Sequence, residues 1–132
     1  MNAVEIEEAV SQLAEAAFDA AEFPFAFLEA FGNKATAINR LRSGNSNLSD
    51  IDGGVLQRNH IHLGGCEPGN VPIKLSELRE SPTNAKAKVK FILATDGVDL
   101  EAEDLVSGET VACAYGEFAD HFGFFLPLAG GH

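Results

Sequence analysis

Seven residues, Val89-Lys90-Phe91-Ile92-Leu93-Ala94-Thr95, constrain the fold of this chain more than any other stretch. The run is nearly continuous in apolar side chains, too short for an ordinary helix and rich in types that suit a pleated strand. A strand that is apolar on both faces needs cover on both. The run therefore predicts a central strand with helices above and below it.

The neighbouring sequence fills in that frame. Asp96-Gly97 predicts a turn, and Val98–Leu105 and Thr110–Tyr115 predict two strands joined through a bend at Ser107-Gly108. Upstream, residues 4–17 predict a helix with Val10, Leu13 and Ala17 on one face and Glu5, Glu7 and Glu8 in the first turn, where the helix dipole favours anions. A second helix starts at Pro24, carries Phe25, Leu28 and Phe31 as a core stripe, and closes at Gly32 in the left-handed conformation. Residues 34–42 predict a short basic helix with Ile38 and Leu41 inward.

The polar segment SGNSNLSDIDGG, 43–54, predicts a loop; Val55–Leu63 predicts one strand, and GGCEPGN, 64–70, a turn. A helix is expected over 72–80 with Ile73, Leu75 and Leu78 inward, followed by a short helix opened by Ser81 as N-cap and Pro82 in its first turn. The ending GFFLPLAG, 123–130, is expected to lie against something apolar. The fold class is α/β, or α+β, with a mixed sheet flanked by helices, and residues 1–132 are expected to form one domain.

An apolar fraction of 45% with 22% charged residues is enough to bury a core. No apolar run approaches the roughly 18 to 20 residues that span a bilayer, and the N-terminus MNAVEIEEAV is acidic where a signal peptide would be basic. A cytoplasmic protein with no membrane partner is the expectation. Cys66 and Cys113 are then reduced thiols packed as small hydrophobes.

The net charge of −11 argues against strong autonomous nucleic-acid binding, because phosphate affinity comes mainly from cations. Its distribution is uneven: residues 1–32 carry −7, residues 33–90 carry +4, and residues 91–132 carry −8. Any contact with DNA falls to the middle third, with Lys34, Arg40, Arg42, Arg58, Lys86 and Lys88 as candidates; the competing reading has these bases solvating helix faces and pairing with the acidic flanks.

Three kinds of chemistry can be tested on the residues. A metal-dependent nuclease site of the form Asp, spacer, Glu-x-Lys is missing, since no Glu is followed two positions later by Lys. Glu77-Leu78-Arg79 lies in a predicted helix, with Arg for Lys, and reads as a solvated face. Asp99 and Glu109 are suitably spaced but read as hairpin carboxylates. A zinc site could draw on His60, His62 and Cys66, with Cys113 and His121 in reserve, but no paired spacing fixes a geometry. Neither phosphate-binding glycine pattern occurs, so Gly64, Gly65 and Gly69 are read as turn residues.

Three stretches, EFPFAFLEAFGNKATAINRLRSG (22–44), AKAKVKFILATDGVDLEAEDLVSGETVACAY (85–115) and HFGFFLPLAG (121–130), resemble the N-terminal region of class I S-adenosylmethionine-dependent DNA methyltransferases related to MmeI. These type IIL proteins combine restriction and modification in one polypeptide. The resemblance implies a PD-(D/E)xK nuclease-like fold, with Phe31-Gly32 and Phe91 to Asp96 on the family's landmarks. Where the catalytic strand should fall, this chain has DIDGGVLQRNHIHL, 50–63; Asp50 or Asp52 takes the Asp position and Glu-x-Lys is lacking. A degenerate nuclease domain follows, with no catalytic, cofactor or metal residues of its own.

The resemblance further implies that S-adenosylmethionine and the (N/D)PP(Y/F) motif, whose aromatic ring stacks on a flipped adenine, belong to downstream domains. The stop at Gly131-His132 reads as a truncation. The expected role is a structural or DNA-positioning domain of an adenine-specific DNA methyltransferase from a restriction-modification or phage-defence system. Its partners would be the remaining domains of that protein and, through them, DNA. Two alternatives remain: a stand-alone acidic binding module acting as inhibitor or adaptor, and a divergent Mg²⁺ endonuclease using Asp50 or Asp52.

Overall fold

A computed structural model describes residues 2–129. The element order is α1 (Ala3–Glu15), α2 (Phe23–Ala30), α3 (Ala35–Arg42), β1 (Gly54–Gln57), β2 (Ile61–Gly65), α4 (Val71–Glu80), α5 (Thr83–Lys86), β3 (Phe91–Thr95), β4 (Asp99–Asp104), β5 (Thr110–Ala114) and α6 (Phe122–Phe125), with 3₁₀ turns at Tyr115–His121 and Leu126–Leu128. The strands form one sheet in chain order, β2 and β3 parallel and the other pairs antiparallel. This is the expected mixed sheet flanked by helices.

The central position of β3 follows from its composition: all five of its residues are buried. Phe91 and Leu93 join the core beneath α1, α2, α3 and the C-terminal turns, while Ile92 and Ala94 join a second cluster beneath α4 and α5. Alternation along one strand thus feeds two cores. The first is aromatic. Phe27 packs 4.8 Å from Phe31 and 5.4 Å from Phe125, and Phe125 lies 6.1 Å from Phe91, ring centroid to centroid. The Phe-rich ending therefore covers the face that α2 presents through Phe27 and Phe31, while Phe25, expected in that stripe, is only half-buried; the last residue of the ending, Gly130, lies outside the described residues.

Helix ends follow local chemistry. Asn2 and Glu5 form a reciprocal capping box on α1. Gly32, at φ 99°, closes α2 by donating to Glu29 O while Asn33 N donates to Leu28 O, the paired bonds of a Schellman motif.

The structure corrects several expectations. The single strand over 55–63 is a hairpin: Asn59, at φ 69°, reverses the chain between Gln57 and Ile61. Asparagine tolerates that conformation, so the turn forms without glycine. Gly64 and Gly65 belong to β2 rather than to a turn. A Cβ on Gly65 would sit 2.5 Å from Ala20 O, so glycine admits a crossing backbone.

Ile73 is 62% exposed; the inward face of α4 is Val71, Leu75 and Leu78, at helical spacing. Ala17 is exposed beyond the end of α1, whose buried residues are Ile6 and Val10. Pro82 rather than Ser81 occupies the N-cap of α5, although the Ser81 hydroxyl still accepts from Thr83 N at 3.3 Å while donating to Asp50.

Candidate nucleic-acid interface

The chain has nine Lys and Arg residues, and three of them are held in ion pairs. Arg42 bonds Glu22 and lies 4.4 Å over the Phe25 ring, so its guanidinium is fixed against α2. Lys74 is 3.7 Å from Glu77 and donates to Asp52 O at 3.2 Å. Arg79 donates twice to Glu103 Oε1, at 2.9 and 3.1 Å. The other six, Lys34, Arg40, Arg58, Lys86, Lys88 and Lys90, are exposed, and among the described residues no ion pair engages them.

Those six gather at one end of the sheet, where β2 and β3 begin. Lys34 and Arg40 line one shallow depression on α3, and Arg40, Arg58 and His60 line the next, between α3 and the β1–β2 turn. The turn is tied to the segment that bears the lysines: Asn59 N donates to Ala87 O at 2.8 Å, and Lys90 N donates to His60 O at 2.9 Å. Three separate stretches of sequence thus meet along one rim. Of the candidates named from sequence, the fold brings together Lys34, Arg40, Arg58, Lys86 and Lys88 and directs Arg42 elsewhere. It adds Lys90, whose signal was a lone charge inside an apolar strand prediction.

Behind this rim lies a buried polar network. His62 on β2 is fully buried, with Nδ1 2.8 Å from Asn84 Oδ1 and Nε2 2.7 Å from Ser49 Oγ. Asn84 Nδ2 donates to Leu78 O at 2.6 Å, so its oxygen is the acceptor and His62 Nδ1 carries the proton. Burial pushes the imidazole below its ordinary pKa, although the Asn84 bond and the nearby Asp50 charge oppose the shift. The network joins α5, and with it Lys86, to the sheet.

The residues weighed for catalysis do not converge. Asp50 accepts bonds from the Ser81 and Thr83 hydroxyls, and the Ser81 bond holds its carboxyl below the usual range. Asp52 instead lines an open cavity of about 560 Å³ with Cys66, Glu67, Lys74, Glu77 and Asp96. Burial would raise Asp96, but amides of Asp99, Gly69 and Val98 bond its carboxylate and the net shift is downward. Asp99 pairs with Ala114 at one end of the β4–β5 hairpin, whereas Glu109 sits at the other, about 16 Å away at strand rise.

Among the described residues no group of three or more His, Cys, Asp and Glu could hold a metal ion. Both nitrogens of His62 are committed to protein partners. Burial raises both thiols, Cys66 and Cys113, so neither is poised as a thiolate. The space beside Gly65, at the end of β2, is filled by the Ala20 backbone. Among the described residues, no helix is long and apolar enough to cross a membrane.

These features define a mixed α/β domain with one cationic rim. The whole of residues 1–132 matches the family model "MmeI, N-terminal domain", and the chain belongs to that family. It is 24% identical over 130 residues to DNA methyltransferase A of Bacillus subtilis (strain 168), a match that covers 98% of this chain and 15% of that protein. The chain thus spans about one seventh of the length of this relative. No solved structure matches it.

Proposed function

We propose that this chain is a non-catalytic, DNA-positioning domain of a cytoplasmic, adenine-specific DNA methyltransferase in a restriction-modification or phage-defence system. In this reading the remaining domains of the same polypeptide bind S-adenosylmethionine and transfer the methyl group. The domain holds the duplex. The observation that carries the proposal is the gathering of Lys34, Arg40, Arg58, Lys86, Lys88 and Lys90 on one rim of a chain whose net charge is −11. Exposed like charges repel one another, so placing six together with no ion-pair partner among the described residues costs stability that a polyanion would return. The family and the name of the relative make DNA the polyanion of interest.

The test is binding of a short duplex, followed by fluorescence anisotropy across a salt series. Each phosphate contact contributes about 0.9 to the slope of log affinity against log salt, so a rim using five or six cations gives a slope near −5. Replacing all six by Gln should abolish measurable binding while leaving the circular dichroism unchanged. Wild-type binding with a flat salt dependence would sink the proposal.

A further inference from the structure

Among the described residues two non-glycine positions have positive φ, Asn59 at 69° and Lys88 at 56°. Both stand on the cationic rim, joined by the bond from Asn59 N to Ala87 O. Lys88 closes α5 as Gly32 closes α2. Lys88 N donates to Ala85 O at 3.3 Å and Val89 N to Asn84 O at 3.0 Å, the same pair of bonds that surrounds Gly32. Glycine suits that position because it has no Cβ to crowd the carbonyl. A lysine there is strained and lacks the short side chain that lets Asn59 adopt the conformation at low cost.

One chain therefore solves the same backbone problem twice, with glycine at position 32, which borders Lys34 and Arg40, and with a strained lysine at position 88. No hydrogen bond or ion pair among the described residues engages the Lys88 side chain, so no polar contact among them repays the strain.

We propose that Lys88 is retained as a phosphate-binding residue for duplex DNA, gripping one backbone beside Lys86 and Lys90 while Lys34 and Arg40 grip the other across the Arg58-Asn59-His60 turn. This rests on the DNA-positioning reading above. Cations on both sides of one turn can meet the two backbones of a duplex, whereas a single strand offers one, which makes double-stranded DNA the ligand class.

The experiment uses the whole chain and a 20-base-pair duplex, with a single strand of the same sequence as comparison. Lys88→Gly should raise the melting temperature by a few degrees as strain is relieved. It should also weaken duplex binding about three- to tenfold at low salt and shallow the salt slope by about one. Lys88→Arg should keep both wild-type values, and wild type should prefer the duplex to the single strand. Lys88→Gly that binds as tightly as wild type, or that melts no higher, overturns the inference. So does equal affinity for the two DNA forms. If duplex binding survives replacement of all six cations, the DNA-positioning reading itself fails, a result distinct from failure at Lys88 alone.

Discussion

Two regions of the molecule carry opposite charge, the rim where β2 and β3 begin and the β4–β5 hairpin beside it. In the first, α3, the β1–β2 turn and the α5–β3 connection supply six exposed cations without ion-pair partners among the described residues. In the second, the β4–β5 hairpin bears Asp99, Glu101, Glu103, Asp104 and Glu109 and no Lys or Arg. The two meet at Phe91, which pairs with Asp104 while Lys90 O accepts from Leu105 N. Acid and base stand close there, yet among the described residues only Glu103 of these carboxylates is ion-paired, to Arg79 of α4. The net charge averages away a bipolar surface. A polyanion brought to this domain is attracted to one side and repelled from the other, which would fix its path as well as its affinity.

The largest effect should come from reversing the cationic side. Arg40→Glu, Arg58→Glu and Lys86→Glu together should lower duplex affinity by more than a hundredfold, about 3 kcal/mol, in a filter-binding titration at low salt. These side chains are exposed and their mutual repulsion is relieved, so the melting temperature should hold or rise. Collapse of melting without loss of affinity would mean that the rim serves folding.

Next in size is the network behind the rim. His62→Ala opens a cavity and leaves Asn84 and Ser49 without their partner, and it should cost about 2 to 4 kcal/mol in urea unfolding. The imidazole also makes a pH prediction. Its folded pKa lies below the ordinary value of 6.5, so the folded state binds fewer protons than the unfolded one. The stability it contributes is present above pH 6.5 and is lost as the pH falls below that value. Wild type should weaken between pH 7.5 and 5.5, and His62→Gln, which cannot titrate, should weaken less. Parallel pH profiles for the two proteins would show that His62 stays outside the linkage.

What was legible in the sequence divides along the same physical lines. The central strand was visible as a short, nearly continuous apolar run, the second hairpin from its turn residues, and the helices up to α5 from apolar spacing and end residues. The fold class followed from them. The helical turns from Tyr115 onward were not read. Nor was the first hairpin, because Asn59 turns the chain without glycine and leaves Val55–Leu63 looking continuous. Ile73 misled because an apolar type promises burial, and only the packing shows that Val71 takes the inward place on α4. The candidate cations were legible as types and as a charged middle third, but their convergence depends on bonds such as Asn59 to Ala87 across 28 residues. The His62 network was hidden for the same reason, its partners lying 13 and 22 residues away.

Neutralising the acidic side should act in the opposite direction and more weakly. Glu101→Gln with Glu109→Gln removes two charges but no ion pair recorded among the described residues, and should raise duplex affinity about two- to fivefold at low ionic strength. The gain should vanish near physiological salt, where the Debye length falls to about 8 Å. A gain that persists at high salt would mean that the hairpin touches DNA directly, and the division between an attracting and a repelling side would have to be redrawn.

The smallest effect separates two neighbours on one helix. Arg40 and Arg42 are both arginines in the last turn of α3, and sequence alone gives no reason to treat them differently. The fold does: Arg40 lines the two depressions on the rim, whereas Arg42 bonds Glu22 and covers Phe25. Glu22 raises the affinity of that guanidinium for its proton, chiefly through the hydrogen bond, and the same bond holds it away from the rim. Arg40→Gln should therefore weaken duplex binding severalfold and shallow the salt slope by about one. Arg42→Gln should leave both within about twofold of wild type and lower the melting temperature by roughly a degree, since exposed ion pairs contribute little to stability. Equal losses of affinity at the two positions would show that DNA draws Arg42 away from Glu22, extending the cationic side around α3 toward α2.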